Sequence, residues 1–268
     1  MRYAWIEQHR DQYTVSQLCR VLEVSRSGYC QWRVRPPSKT AVSNQALDAK
    51  VAAVDKSSRR SYGRHRIVQS LRQQGEIVSA ERVRKSLQRQ GLRPVYRRPF
   101  VVTTDSNHRL PVAENLLDRR FDSWQTDQAW VADITYVPTG EGWLYLAAVM
   151  DLAGRRIVGW SMSETIDATL VCTALKSAWW QRKPSKGVLV HTDRGSQYAS
   201  GQYRALADEL GITMSMSRKA NAWDNAPMES FFKTLKVERV HQVRYETRAQ
   251  ARQDIVDWVE GWYNRQRL

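Results

Sequence analysis

Three carboxylates of this 268-residue chain sit where a charge is either costly or well placed for chemistry. Asp133 lies within the run WVADITYVP, between Val131-Ala132 and Ile134, where a charge is expensive unless paired or bound to a cation. Asp193 follows Gly-Val-Leu-Val-His-Thr, at the end of an almost wholly apolar predicted strand, the usual place for ligands in open α/β sheets. Glu229 opens a predicted helix after the polar loop RKANAWDNAPM, where the helix dipole favours its charge. Singly, each has an ordinary reading, as a solvent-facing strand-edge Asp or a Glu in a first helical turn. Together they offer hard oxygen donors of the kind that bind Mg²⁺, with Mn²⁺ as a substitute. Two such ions roughly 4 Å apart activate the attacking oxygen and stabilise the leaving one in a phosphoryl displacement, so phosphodiester chemistry is the expectation.

The helix carrying Glu229 adds Lys233 and Lys236, four and seven residues on and on the same face, as a helix offering lysines to substrate phosphates would. A plain Glu–Lys pair at i, i+4 is the alternative. Trp223, in the polar loop, is the tryptophan best placed for DNA. Trp130 and Trp143 are expected in the core. His191 either orients a ligand of the site or packs at a strand end.

The elements that must position these residues begin near residue 128. Three β-rich runs, WVADITYVP, GWLYLAAVMDLAG and RRIVGWSMS, are separated by turns and predict an antiparallel meander. A helix over Asp167–Gln181, the short strand GVLVHT, a helix over Gln202–Leu210, the strand ITMSMS and the Glu229 helix follow. That order fits a mixed sheet flanked by helices, an α/β class.

The preceding half is helical and basic. Residues 14–33 read as two short helices around a turn, with Val15, Leu18, Cys19 and Leu22 on one face and Ser25 capping the second helix, which carries Tyr29 and Trp32. Pro36, Pro37 and Ser38 mark a linker. A helix is expected over 44–58, then a second helix-turn-helix candidate: Arg64–Gln74 ending at Gly75, and a helix capped by Ser79 and stopped by Gly91. Arg82, Lys85 and Arg89 share a face of that last helix, suiting it to a duplex; a solvated face is the alternative. The expected organisation is an N-terminal helix-turn-helix-like segment (1–35), a basic helical DNA-binding domain (44–92), a linker (93–126) and a catalytic core (127–268).

The net charge of +15 is segregated: residues 1–110 hold 22 Lys/Arg against 8 Asp/Glu, and residues 111–268 hold 20 against 19. A block this basic favours double-stranded DNA, because displaced counterions drive association with a polyanion. The longest strongly apolar stretch, Trp143–Met150, is far short of the ~20 residues of a membrane span, so no membrane role is expected. The start MRYAWIEQHRDQ lacks a signal-peptide pattern, which predicts the cytoplasm. Cys19, Cys30 and Cys172 have no metal-site spacing and are expected to be buried apolar thiols.

The segments WVADITYV, GWLYLAAVMDL, VGWSMS, HTDRGSQYAS and NAWDNAPMESFFKTLKVE, preceded by TTDSNHRLPVAENLL, SYGRHRIV and SRSGYCQW, resemble the retroviral-integrase-like DDE transposases of bacterial insertion sequences. The resemblance is to the second-frame, OrfB-type product of the insertion-sequence-three family and covers almost the whole chain. It implies an RNase H-like core, with Asp133, Asp193 and Glu229 as the carboxylate triad and 35 residues between the last two, the family's usual gap. It also implies Mg²⁺ dependence, recognition of inverted-repeat ends, cleavage that frees a 3′-hydroxyl, and strand transfer by that hydroxyl. A homo-oligomer in a synaptic complex and the first-frame product of the same element are the partners it implies. Ala132 stands where relatives often have Thr; Glu23 and Ala220 stand where Gly is common; the chain ends at YNRQRL without the usual His- and Pro-containing tail. A non-catalytic DNA-binding regulator and a metal-dependent nuclease are the alternative functions.

Overall fold

Near residue 128 the hydrophobic period changes from helical to alternating, and the architecture changes with it. The computed structural model describes residues 2–95, 110–185, 187–219 and 221–267. Residues 96–109 of the predicted linker, and Ala220, lie outside the described residues. The chain forms two compact units, Met1–Ser57 with Gly63–Arg93, and Ser58–Tyr62 with Pro94–Leu268.

The first unit opens on a helix that sequence pattern does not reveal, α1 (Arg2–His9), because Ile6 alone is buried along it. Ile6 meets Leu18 and Cys19 of α2 (Val15–Val21) and Tyr29 of α3 (Arg26–Val34), a core closed only by residues distant in sequence. Thr14 and Gln17 form a reciprocal capping box at the start of α2. Ser25 caps α3 by accepting from Gly28 N at 2.8 Å. In the turn between them Glu23 adopts φ +53°, the left-handed region where Gly is the easier residue. Helix α4 (Lys39–Ser57) begins five residues before the predicted start, because Ser38, read as linker, accepts from Ala41 N at 3.1 Å and caps it. Helices α5 (Arg64–Gln73) and α6 (Ala80–Arg89) stop near Gly75 (φ +83°) and Gly91 (φ +64°). Leu47, Val51, Val54, Ile67, Val68, Leu71, Val83 and Leu87 are the buried apolar residues of these three helices, which pack on one another.

The second unit is a five-stranded mixed sheet. Strands β1 (Ala129–Thr139), β2 (Gly142–Asp151) and β3 (Ile157–Ser163) form the antiparallel meander. Strands β4 (Leu189–Thr192) and β5 (Thr213–Met216) join β1 in parallel, giving the order β3-β2-β1-β4-β5. Helix α7 (Ala168–Arg182) lies on β2 and β3, α8 (Gly201–Glu209) crosses between β4 and β5, and α9 (Ala226–Glu238) packs on β1. Helix α10 (Arg248–Val256) runs on into a π-helical stretch, Asp257–Tyr263, whose Trp258 and Tyr263 pack against Phe231 of α9. The α/β class and the all-helical region before it match the sequence expectation.

Two expectations are corrected. Trp130 is fully buried, but Trp143 is 49% exposed, because it enters β2 right after the turn, at the closed end of the β1–β2 hairpin. Cys19 and Cys172 are buried, whereas Cys30 is exposed on the side of α3 turned away from the Ile6 core.

Helix α7 can lie so close to β3 only because position 159 has no side chain. A Cβ on Gly159 would fall 2.5 Å from the Ala174 carbonyl oxygen and closer still to the Ala178 nitrogen, both backbone atoms of α7. Gly159→Val should therefore force helix and sheet apart and cost about 3 kcal/mol, measured as a lowered denaturant midpoint at unchanged slope. A midpoint equal to wild type would mean that α7 does not dock this tightly.

Candidate active site

Strand register brings the first two carboxylates level. In the parallel ladder Val131 stands opposite His191, so Asp133 and Asp193, each two residues further on, emerge side by side just where the ladder ends. Asp133 is held on its other side by β2, opposite Ala148. Asp193 lies one residue beyond β4 and accepts from Gly195 N at 2.9 Å, while Asp133 accepts from Ile134 N at 2.7 Å.

The third carboxylate is delivered by a tether. Buried Asn225, immediately before α9, donates its side-chain amide to the Ala132 carbonyl at 3.1 Å, pinning the helix start beside Asp133. Glu229 follows within the first turn of α9, where Pro227 is tolerated because the N–H it lacks would have no helical partner. The charges of Asp193 and Glu229 both act on Asp133. Burial, then Asp193, then Glu229 push its carboxyl well above the usual range. Burial likewise raises Glu229, opposed by Lys233. Lys236 is half-buried with its ammonium 4.3 Å from the centre of the Tyr136 ring; burial lowers its pKa while Asp133 works to raise it. Among the described residues no three His, Cys, Asp or Glu already stand in a metal-ready group. What the fold supplies is a set of oxygen donors on three elements, crowded enough that the innermost resists ionisation in the absence of a cation.

The loop before α9 is fixed by a charge cluster that sequence reasoning missed. Asp224 has no exposed side-chain surface and receives the Arg218 guanidinium at 2.9 Å, the Arg119 Nε at 2.8 Å and the Asn115 amide at 3.0 Å. Arg218, with the backbone N–H of the same residue and then Arg119, holds this carboxyl far below its ordinary range. Residues 114–119 are thereby strapped to the loop. The strap is also tied to β5, through Leu116 N and Leu117 N, which donate to Ser215 Oγ at 2.9 and 3.2 Å. His191 belongs to this support. It is fully buried between Ser215 Oγ (2.8 Å from Nδ1) and Ser217 Oγ (3.1 Å from Nε2), and burial lowers its pKa to about 4, so it is the packed neutral histidine of the two readings. Trp223, adjacent to Asp224, is 73% exposed.

In the first unit the residues Arg82, Lys85 and Arg89 do not form a bare cationic face. Arg89 grips Asp48 of α4 through two bonds, of 3.0 and 2.6 Å, and Arg82 donates to Ser43 at 3.0 Å. The Lys85 ammonium, 4.0 Å from Glu81, stays largely in solvent. Helix α6 therefore spends two of its four cations on packing against α4, and a third, Arg84, on Glu81 of its own first turn.

A family described as "Integrase core domain" matches residues 124–222, a second of the same description matches 229–268, and one described as "HTH-like domain" matches 43–100. The transposase InsF for insertion sequence IS3A of Escherichia coli (strain K12) is 43% identical over 270 aligned positions, which take in 100% of this chain and 93% of that protein. A 31 kDa protein of insertion element IS600 from Shigella sonnei is 42% identical over 93% of this chain and 92% of its own length. Among solved structures, a chain of the simian T-cell lymphotropic virus intasome, in complex with PP2A regulatory subunit B56 gamma, aligns at TM-score 0.40 and 13% identity, covering 69% of this chain and 58% of that one.

Asp224→Ala should cost about 2 to 3 kcal/mol, less than a fully buried pair would lose, because both guanidinium groups are half exposed and recover water. The stabilisation is complete above the ordinary carboxylate range, about pH 4, and is lost as acidification below it protonates Asp224. Wild type and variant should thus converge in stability at low pH. A gap that persists undiminished in strong acid would assign the loss to packing instead of charge.

Proposed function

This chain belongs to the insertion-sequence-three (IS3) family of transposases, with a helix-turn-helix-like domain and an integrase core, and from that premise we propose that it cuts and joins DNA at one metal-dependent carboxylate site. Asp133, Asp193 and Glu229 hold two Mg²⁺ ions, for which Mn²⁺ can substitute. The observation that carries this reading is the crowding at Asp133, whose ionised form is opposed by burial and by two further carboxylates, a balance a divalent cation reverses. An all-oxygen donor set suits Mg²⁺ better than a softer metal. The ions would activate the attacking oxygen, first of water and then of a DNA 3′-hydroxyl, and stabilise the leaving one.

The protein's own groups bind and orient. Lys236, held over Tyr136, sets one positive charge beside the carboxylates, where a phosphate must approach. Lys233, midway along α9, and Trp223, in the loop before it, are exposed and engage the DNA strand that reaches the site. Asn225 and the Asp224 cluster fix the loop, so that Glu229 meets Asp133 in one geometry. The basic N-terminal half binds the terminal inverted repeats, with Lys85 as the open phosphate contact of α6 and Arg82 and Arg89 exchanging or sharing their present partners. The working unit is a homo-oligomer that pairs two element ends, joined by the first-frame product, on nucleoid DNA in the cytoplasm.

Labelled terminal-repeat duplex, incubated with Mg²⁺, should give nicked and then joined products. Chelation with EDTA or Glu229→Gln should reduce both by on the order of 10³-fold or more while leaving duplex affinity nearly unchanged. Nicking without joining would point to a nuclease, and metal-independent binding without chemistry to a regulator. Either would overturn the strand-transfer reading.

Lys85→Ala should lower the salt dependence of duplex binding by about one phosphate contact, and replacing Arg82, Lys85 and Arg89 together should weaken binding further. Unchanged affinity in the triple variant, measured by salt titration, would remove α6 from the interface.

A further inference from the structure

Residues 2–34 lie upstream of all three family matches, yet they build a complete small helical unit. Seven-residue α2, a four-residue turn with Glu23 at φ +53°, and nine-residue α3 have the proportions of a helix-turn-helix, with α1 closing the core behind them. Gly28 and Tyr29 face inward, and Trp32, 41% exposed, covers the edge of the core: a Cβ on Gly28 would fall 2.5 Å from the Tyr3 hydroxyl oxygen, and Tyr29 and Trp32 pack around Tyr3. Helical geometry then turns Ser27, Cys30 and Val34 outward, flanked by Arg26 and Arg33 on one side and Gln31 on the other, all exposed.

This face differs from that of α6 in one decisive respect. The α6 arginines are bonded within their own unit, whereas among the described residues the side chains of Arg26, Gln31 and Arg33 make no hydrogen bond or ion pair. The nearby acid, Glu7, is already taken by Arg10 and Tyr29, and residues 2–35 hold six arginines against three acids. Uncommitted Arg and Gln around a strip of small residues give donors for base edges and phosphates without bulk to keep the helix out of a groove. The occupant with matching charge and shape is duplex DNA. We propose that α3 is a second DNA-reading helix of this chain, entering the major groove with Ser27, Cys30 and Gln31 towards the bases and Arg26 and Arg33 towards the phosphates. The proposal rests on the proposed action at DNA ends and adds a reading head to the one matched at residues 43–100.

The chain carries its own reporter, since Cys30 is exposed while Cys19 and Cys172 are buried. Full-length protein is reacted with a fluorescent maleimide, alone and saturated with a duplex of about 40 base pairs from the element end flanking its gene, long enough for several successive major-groove turns. Labelling of Cys30 should slow about tenfold or more in the complex, and protein labelled beforehand should bind the duplex about 10- to 100-fold more weakly. Arg26→Ala with Gln31→Ala should give a comparable loss; should that variant unfold, the wild-type protection result still decides. A complex that forms, by gel shift, while Cys30 reacts at the free rate overturns the second reading head and leaves the proposed chemistry standing. Protection that appears on raising protein concentration without DNA overturns it in favour of a contact between copies. Failure to bind any duplex overturns both.

Discussion

Repulsion among like charges in a poorly hydrated place is the constraint around which the second unit is organised. Asp133 is drawn into dense surroundings by the core strand that carries it, and Asp193 and Glu229 are brought up from separate elements. Left to themselves, three carboxylates would spread apart or take up protons. They are kept together by bonds that do not involve the carboxylates: the β1–β4 register, the Asn225 amide on the Ala132 carbonyl, and the strap of residues 114–119 clamped to Asp224. Positive charge is used unevenly around them. Arg119 and Arg218 neutralise the structural Asp224 in full, while the carboxylate set receives only the partial influence of Lys233 and Lys236. The surplus of negative charge is thus confined to one place.

The N-terminal half faces the opposite electrostatic problem, an excess of cations that must fold against one another. Within α4–α6 it is met by pairing, as Arg89 with Asp48 and Arg84 with Glu81, which lowers the carboxyl pKa of both acids. Within α1–α3 it is met by sending the arginines outward from an apolar and aromatic core. Composition alone records only a basic block; the division between paired and unpaired cations exists only in three dimensions.

What could be read from the sequence follows the range of the interactions involved. Ser25, Ser79, Gly75 and Gly91 announce their helix ends because a cap or a left-handed stop is decided within four residues. The meander and the α/β order were legible for the same reason, through alternation and turns. Helix α1 was not, since its one buried residue, Ile6, acquires meaning only from Tyr29 and its neighbours. The carboxylate trio was legible as residue types in costly positions, but the Asp224 cluster joins residues 105 apart, and no periodicity signals such a link. His191 and Trp143 illustrate a third limit. His191 is a strand-end histidine whose packing is decided by Ser215 and Ser217, far off in sequence, while Trp143 is an aromatic in an apolar run that its place at the hairpin turn leaves exposed.

The position of the Asn225 tether has a consequence for how this kind of chain can drift in length. Between Asp193 and the tether the chain runs through a helix, a strand and a polar loop, and extra residues there could be taken up while Asn225 still hooks onto Ala132. From Asn225 to Glu229 the path is helical, so one added residue would swing the carboxylate about 100° around the axis and away from Asp133. Under the role proposed for Glu229, insertions and deletions should therefore be tolerated on one side of the tether and abolish activity on the other, making Asn225 the point from which the spacing of the third carboxylate is counted.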